Sequence, residues 1–295
     1  MSPSPSSSSV RSSSQAIGVG HYENFPVASW LCPPALRPAV AAIYHFARTA
    51  DDIADEGQAP PEQRLADLLA YRYTLNLCLE GASAIEPRWP AIFGPLSQAV
   101  QRHQLPGELL HDLLSAFEQD VRHTANAHRY ADLDELLAYS RLSANPVGRL
   151  LLHLYGVHDD TALQQSDQIC SALQLINFWQ DIGVDLPRQR CYLPADVLQR
   201  HGVRVSDFAL DNPQQAGAMA GVVGELCAHA SHLMHQGAPL VHRVPGRAGW
   251  ELRLVVQGGL RILERIAQAH HRSWQVRVTL RRVDAPRLLW RALRM

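Results

Sequence analysis

The side chains best suited to chemistry lie in two acidic clusters, each within a stretch of helical periodicity. In the first cluster Asp51 and Asp55 are four residues apart and Arg48 precedes them by one turn, so all three share one side of the predicted helix. Carboxylates at this spacing repel each other by about 0.2–0.5 kcal/mol, so another interaction must favour them. A solvated helix end ahead of Gly57 would explain this cluster if it stood alone.

A second cluster makes that explanation insufficient. Asn177, Asp181 and Asp185 follow an apolar helical stretch at intervals of four residues, which predicts one row of oxygen atoms along a helix. Such oxygens suit Mg²⁺, a hard cation that keeps several waters and is usually shared with substrate phosphates. Two rows facing each other in a helical bundle would bind a diphosphate through bridging Mg²⁺ ions. The cations placed to offset the phosphate charge are Arg48, Arg188 and Arg190.

Helices must position these clusters, and helical periodicity dominates the chain from Pro33 onward. Apolar residues recur every three or four positions, as in Leu36, Val40 and Ile43, which is the pattern of an amphipathic helix. Proline and glycine interrupt the pattern at intervals, whereas the alternating β-branched runs typical of strands are nearly absent. We therefore predict a single all-α domain of about eight or more helices.

Composition excludes several classes of protein. Hydrophobic residues make up 46% of the 295 residues, enough for a sizeable core, which argues against wholesale disorder. The 27 basic residues are all arginine and balance 28 acids to a net charge of −1, so we expect no nucleic-acid partner. No apolar run approaches the ~18–20 residues of a membrane-spanning helix. The five cysteines are widely spaced, as is typical of reduced thiols, so we expect a cytoplasmic protein.

The two ends of the chain differ in character from the middle. Nine of the first 14 residues are serine, so we predict a disordered tail over residues 1–20. Residues 271–295 combine seven arginines with tryptophan and leucine, which predicts a basic helical segment after a main domain at residues 21–270. This segment either closes the domain as a solvated helix or makes a peripheral contact with an anionic membrane surface at the inner face of the membrane.

Four motifs, in order along the chain, resemble the squalene/phytoene synthase family of head-to-head isoprenoid synthases, and the likeness covers nearly all of residues 21–270. The motifs are Arg48-x-x-Asp51-Asp52-x-x-Asp55, Tyr139 with Ala144-x-x-Val147-Gly148, Leu175-x-Asn177-x-x-x-Asp181-x-x-x-Asp185 and Arg190-x-Tyr192-Leu193-Pro194. The resemblance implies an isoprenoid-synthase helical bundle around a central apolar cavity, with Mg²⁺ as cofactor and a prenyl diphosphate as substrate.

The resemblance also implies roles for individual residues. The metal ligands, which are also catalytic, would be Asp51, Asp55, Asn177, Asp181 and Asp185, and Tyr139 would be a further catalytic residue. Diphosphate would be bound by Arg48, Arg190 and Tyr192, with Asn24, Gln180 and Arg188 as further candidates, although Asn24 could instead cap a helix. The hydrocarbon pocket would be lined by Phe25, Ala144, Val147, Gly148 and Leu175.

Within the family, the chain looks most like the hydroxysqualene synthase branch of bacterial hopanoid synthesis. The stretches that carry this likeness are His21-Tyr-Glu-Asn24-Phe25-Pro26, Asn145-Pro146-Val147-Gly148 and Asn177-Phe-Trp-Gln180-Asp181. The likeness implies that presqualene diphosphate and water become hydroxysqualene and diphosphate, with a presqualene diphosphate synthase as functional partner. Relatives that condense two prenyl diphosphates usually carry arginine where this chain has Gln180, and a site for one diphosphate needs fewer cations.

Two alternatives remain open. One is the synthesis of presqualene diphosphate, squalene or phytoene from two prenyl diphosphates, since Arg188 could replace the missing cation. The other is a catalytically idle helical partner of another synthase, although the intact acidic clusters argue against it.

Gly258 and Gly259 stand where some relatives carry tyrosine, and they either make room for a long chain or allow helices to pack closely.

Overall fold

The computed structural model describes residues 31–81 and 88–295, and within these ranges the chain is helical and contains no strand. None of the described helices is both long and apolar enough to cross a bilayer. The predicted all-α class is therefore confirmed, whereas the expectations for residues 1–20, Asn24 and Phe25 lie outside the described residues. The helices are α1 (Arg37–Asp55), α2 (Pro61–Leu79), α3 (Pro90–His103), α4 (Gly107–Ala125), α5 (Leu133–Ser143), α6 (Asn145–Leu154), α7 (Asp160–Gln180), α8 (Ile182–Asp185), α9 (Ala195–Arg200), α10 (Val205–Ala209), α11 (Ala216–Gly237), α12 (Gly246–Gln268) and α13 (Ala285–Leu293).

Local sequence signals explain where the helices that carry the site begin. Proline occupies the first turn of α1 and of α6. Backbone N–H groups in the first turn of a helix have no acceptor within the helix, so proline, which lacks an N–H, costs no hydrogen bond there. At the start of α5 the side chain of Asp132 accepts a hydrogen bond from the N–H of Glu135 at 2.9 Å, and Asp159 caps α7 in the same way. The chain is divided into α5 and α6 at Ala144, two residues before Pro146, which lies in the first turn of α6.

Two apolar clusters form the core, and α7 is the central helix of the larger one. It packs against α5, α6, α11 and α12, and its fully buried side chains include Ala172, Leu175 and Trp179. The second cluster joins α1 to α2, α3 and α4 around Phe46 and Tyr71. Because α1 belongs to one cluster and α7 to the other, the space between them can be lined by both acidic motifs.

Gly259 shows how closely α12 approaches its neighbours. A Cβ at this position would lie 2.8 Å from Cε of Met234 on α11 and 3.1 Å from Cδ2 of Leu173 on α7. At Gly258 the nearest atom would be Cδ1 of Leu280, at the ordinary contact distance of 3.6 Å. Close helix packing is therefore the explanation for Gly259.

After α12 the chain leaves the helical bundle. His270 and His271 adopt the left-handed conformation, with φ of 53° and 58°, and so end the helix. Residues 272–281, which we call the C-terminal strap, contain no helix. A single 3-10 turn and α13 follow, and α13 packs on α12. The expected basic C-terminal segment is therefore helical only in its last part.

All five cysteines are free thiols. Four of them are buried, and the fifth, Cys170, is half-buried. Burial raises the pKa of every one, and it brings the pKa of Cys170 and Cys227 to about 12. The expectation of reduced thiols agrees with this arrangement.

Candidate active site

A largely apolar cavity lies between α4, α5, α6, α7 and α12. The cavity opens to solvent, and its volume is about 180 Å³. Most of its lining is aliphatic, with Phe117, Tyr139 and Tyr155 as aromatic members. The polar residues among its lining are Asp51, Asp120, Tyr139, Ser143, Ser166, Gln174, Asn177 and Glu251. The expected central apolar cavity is present.

The residues expected to line the hydrocarbon pocket divide into two groups. Ala144, Val147 and Gly148 line the cavity, and a Cβ on Gly148 would lie 2.5 Å from Sγ of Cys170, so this glycine allows α6 to approach α7. The expectation for Leu175 is wrong, because Leu175 is not among the residues that line the cavity and its side chain is fully buried in the core. Each helical residue is rotated about 100° from the one before it, which turns Leu175 away from the cavity. The residues of α7 that line the cavity are Ser166, Ile169, Cys170, Leu173, Gln174 and Asn177.

The first acidic cluster, on α1, extends from the cavity to solvent. The side chain of Asp51 lines the cavity and is 18% exposed, whereas that of Asp55, one turn later, is 40% exposed. Arg48 forms ion pairs with Asp51 at 3.2 Å, with Asp52 at 2.7 Å and with Glu56 at 2.8 Å. Burial raises the pKa of Asp51 to about 6, an effect that Arg48 opposes and Asp55 reinforces.

The second acidic cluster continues from α7 into α8. Asn177 lines the cavity, Asp181 lies at the end of α7 and Asp185 at the end of α8. Asp185 is buried, and its Oδ2 has no hydrogen-bond partner among the described residues. Burial raises the pKa of Asp185 to about 7, and the charge of Asp181 raises it further. A buried carboxylate oxygen without a donor is a suitable ligand for a cation.

Arg190 joins the two clusters in space. From the turn after α8, its guanidinium forms an ion pair with Asp55 on α1, and its charge opposes the raised pKa of both Asp185 and Asp120. Acidic groups that are far apart in sequence therefore surround one guanidinium. Arg188 is exposed on the turn and does not line the cavity, although its charge reaches Asp185.

The C-terminal strap supplies a cation that the sequence analysis missed. Arg277 donates two hydrogen bonds to Asp181, from Nε to Oδ1 at 2.5 Å and from Nη2 to Oδ2 at 3.0 Å. The strap comes so close to α8 that a Cβ on Gly183 would lie 2.4 Å from the carbonyl oxygen of Trp274. The indole N–H of Trp274 donates to Asp211 at 2.8 Å and holds the strap in place. Arg277 and Asp181 are 96 residues apart, so no local pattern could have joined them.

The structure does not support the expectation that Gln180 binds diphosphate. Gln180 is buried, and its Nε2 donates to the carbonyl oxygen of Val278 in the strap at 2.6 Å. Its amide is therefore committed to holding the strap and does not line the cavity. The cation beside the second acidic cluster is Arg277, which pairs with Asp181, the residue after Gln180.

Asp120 on α4 is a second residue that the sequence analysis missed. It lines the cavity and accepts a hydrogen bond from the hydroxyl of Tyr139 at 2.8 Å. Burial raises the pKa of Asp120 to about 7, and the Tyr139 hydroxyl opposes this shift. Asp120 follows Phe117 by three residues on the same face of α4, and an acid on an otherwise apolar helix face is a signal that could have identified it.

Tyr192 lies beside the second cluster. Its ring stacks on that of Phe178 with centroids 3.7 Å apart, and both rings line a small second cavity that also includes Asp185 and Arg190. Burial, followed by the charges of Asp120 and Asp185, raises the pKa of Tyr192 well above its ordinary value. The hydroxyl therefore stays protonated and can act as a hydrogen-bond donor.

The acidic clusters fit a metal that is shared with a phosphate better than one held by protein alone. In the described ranges, no group of three or more His, Cys, Asp or Glu side chains forms a ready metal site. Mg²⁺ commonly takes one or two carboxylates and completes its shell with phosphate and water oxygens. The unpartnered Oδ2 of Asp185 and the carboxylate of Asp51 are ligands of this kind.

The chain is similar to known proteins in both sequence and structure. Residues 19–284 match the sequence profile named squalene/phytoene synthase. The chain is 36% identical over 235 residues to a hydroxysqualene synthase of Rhodopseudomonas palustris, covering 79% of this chain and 75% of the relative. It is 41% identical over 197 residues to a hydroxysqualene synthase of Zymomonas mobilis, covering 65% and 61%. The crystal structure of squalene synthase HpnC from Alicyclobacillus acidocaldarius matches with a TM-score of 0.74 at 32% identity, over 85% of this chain and 90% of that one.

Proposed function

The chain belongs to the squalene/phytoene synthase family, and within this family of enzymes we propose that it converts presqualene diphosphate and water to hydroxysqualene and diphosphate. The observation that carries the proposal is an apolar cavity that has carboxylates and two amides in its lining and guanidinium groups beside them. This arrangement suits a substrate with a long hydrocarbon and one diphosphate. The relatives named hydroxysqualene synthase, at 36% and 41% identity, support this particular product.

The diphosphate would be bound through an exchange of partners. Arg48, Arg190 and Arg277 pair with Asp51, Asp55 and Asp181, so three of the four aspartates of the two clusters already have a guanidinium partner. Phosphate oxygens can take over these guanidinium groups, since Arg–phosphate hydrogen bonds are charge-assisted and often bidentate. The carboxylates released in this way become available to Mg²⁺. The residues that would hold the metal are Asp51, Asp55, Asn177, Asp181 and Asp185.

Ionisation is the first chemical step. The C–O bond to the diphosphate breaks and its electron pair stays on the diphosphate oxygen, so negative charge grows on the leaving group. Bound Mg²⁺ supplies neutralisation of that charge. The cation left on the hydrocarbon stays in the cavity, where aliphatic side chains exclude bulk water. The aromatic side chains of Phe117, Tyr139 and Tyr155 also line the cavity, and aromatic rings can stabilise a nearby positive charge. Asp120 holds the Tyr139 hydroxyl and so fixes this ring.

Water capture completes the proposed reaction, and Gln174 is the residue we assign to it. Its amide lines the cavity one turn before Asn177, between the polar end of α7 and the aliphatic walls. An amide can donate to one water and accept from it, which holds the water beside the cation. The water oxygen forms the new C–O bond, and its proton passes to the released diphosphate.

The experiment is incubation with presqualene diphosphate and Mg²⁺, without a nicotinamide cofactor, followed by mass spectrometry of the extract. Hydroxysqualene that takes its oxygen from labelled water is the expected product. A parallel incubation contains farnesyl diphosphate alone. Presqualene diphosphate, squalene or phytoene formed there at a comparable rate would contradict the proposal.

Condensation of two prenyl diphosphates is the second candidate, because Arg277 restores the cation that Gln180 lacks. If the first candidate holds, a presqualene diphosphate synthase must supply the substrate, and we propose it as the functional partner. Absence of diphosphate release from every prenyl substrate would instead favour a catalytically idle partner of another synthase.

A further inference from the structure

The last helix exposes its apolar face to solvent. Leu289, Trp290 and Leu293 of α13 are 55%, 53% and 66% exposed, and their spacing puts them on one side of the helix. The opposite side is the one that packs on α12, where Ala292 is buried. A helix that closed the domain as a solvated element would turn these apolar groups inward.

Trp250 of α12 extends this apolar surface. It is 43% exposed, and the guanidinium of Arg253 lies over its ring, 4.6 Å from the centroid. Arg253 also donates to the carbonyl oxygen of Ala292 at 3.3 Å, so Trp250 lies beside the end of α13. We call Trp250, Leu289, Trp290 and Leu293 the C-terminal face.

The surroundings of the C-terminal face are strongly basic. Residues 243–295 contain twelve arginines and three acids. Glu251 lines the cavity, and the other two acids already form ion pairs, Glu264 with Arg291 and Asp284 with Arg261 among others. Arg243 and Arg277 also pair with acids outside the region, Asp159 and Asp181, so five acids offset twelve arginines and a net positive charge remains. The guanidinium of Arg294, for example, lies over the ring of Trp290 at 3.8 Å.

We propose that the C-terminal face docks the protein on an anionic phospholipid bilayer. Tryptophan and leucine would enter the boundary between headgroups and acyl chains, and the surrounding arginines would contact lipid phosphates. Charge favours this occupant over a second copy of the chain, because two such basic surfaces would repel each other. The proposal stands on this surface alone and does not depend on which prenyl diphosphate the cavity binds.

The test is co-sedimentation with vesicles of phosphatidylcholine, with and without phosphatidylglycerol. The parent protein should bind the anionic vesicles, bind the neutral ones more weakly, and dissociate as salt is added. The variant Leu289→Ser/Trp290→Ser/Leu293→Ser should lose about tenfold or more of its binding to anionic vesicles. Its circular dichroism and its turnover of detergent-dispersed substrate should match the parent. If the triple variant fails to fold, Leu293→Ser alone should give a smaller loss in the same direction.

A matched control removes exposed apolar groups elsewhere. Leu69, Tyr73 and Leu210 are 65%, 58% and 79% exposed and lie outside the C-terminal face, so Leu69→Ser/Tyr73→Ser/Leu210→Ser should bind vesicles like the parent. An equal loss in this control would overturn the proposal, and so would a parent protein that ignores anionic vesicles. A dimeric parent that becomes monomeric in the first triple variant would identify a second copy as the occupant. Vesicle binding without any prenyl turnover would contradict the proposed reaction but not the docking surface.

Discussion

Asp51 belongs to the first acidic cluster and forms an ion pair with Arg48, and Asp181 belongs to the second cluster and forms an ion pair with Arg277. We expect Asp51→Asn and Asp181→Asn to lower turnover of presqualene diphosphate by about a hundredfold or more, because loss of a metal ligand weakens charge neutralisation on the leaving group. The matched control is Asp52→Asn, since Asp52 also pairs with Arg48 but does not line the cavity. Near-parental turnover of Asp51→Asn at low Mg²⁺ would remove this residue from the metal site. Circular dichroism should show an unchanged fold in all three variants.

In the proposed mechanism Gln174 positions the water that captures the cation, so it determines which product forms and does not take part in ionisation. In Gln174→Leu we expect the alcohol fraction of the products to fall severalfold and olefins formed by proton loss to rise, while diphosphate release stays within about threefold of the parent. The measurement is product analysis together with a diphosphate assay. Ser166→Ala serves as the control, because Ser166 also lines the cavity but lies about three turns from Asn177 along α7. An unchanged alcohol fraction in Gln174→Leu would assign the water to another group.

The variant Gly183→Ala tests whether close packing at Gly183 holds the strap against α8. A methyl group at this position would meet the Trp274 carbonyl oxygen at 2.4 Å, and a backbone atom cannot move aside cheaply. We therefore expect Gly183→Ala to lower the melting temperature and, by displacing Arg277 from Asp181, to raise KM for the diphosphate substrate. Gly217→Ala on α11 is the control, because a Cβ there meets nothing within 4 Å and the change should stabilise the protein by about 0.4–1 kcal/mol or leave it unchanged. Equal effects in the two variants would argue against a specific contact.

Asp284 anchors α13, and its contribution depends on pH. The backbone N–H of Arg281 and the guanidinium groups of Arg261 and Arg265 hold the pKa of Asp284 well below its ordinary value. A lowered native pKa means that the stabilisation is complete above the unfolded value of about 4 and is lost as the pH falls towards the native pKa. We expect Asp284→Asn to melt several degrees below the parent at neutral pH and the difference to shrink below about pH 4. A difference that is constant with pH would show that ionisation of Asp284 is not its cause.

Periodicity predicted the individual helices far better than the contacts between distant segments. The face of α7 that carries Asn177 follows from spacing alone, and the error at Leu175 is a rotation of one residue on the same helix. The strap could not be predicted, because it has no periodicity and its contacts with α7 and α8 depend on tertiary packing. This is also why Gln180 was misplaced, since its partner is a backbone carbonyl of the strap, 98 residues away.

For the molecule as a whole, the paired arginines and carboxylates predict a cooperative response to ligands. Mg²⁺ together with inorganic diphosphate should raise the melting temperature. At a ligand concentration a hundred times the dissociation constant, the free energy of unfolding should increase by about 2.7 kcal/mol. Mg²⁺ alone, or diphosphate alone, should do much less, because each would separate existing ion pairs without satisfying both partners. Thermal unfolding with each component, with both, and after addition of a chelator measures this. A full shift with Mg²⁺ alone would contradict the exchange of partners.

The burial of the thiols has a practical consequence for labelling. Only the thiolate reacts readily with maleimides, and every native cysteine is buried or half-buried with a raised pKa. A cysteine introduced at an exposed position such as Leu210 would therefore react much faster than the native five, so a fluorophore can be attached at a single site without first removing them. Cys170 lines the cavity, so the rate of its slow alkylation can be measured as a second signal, separate from the label at the introduced cysteine. A bound prenyl chain should protect it, which would report occupancy of the cavity without any turnover.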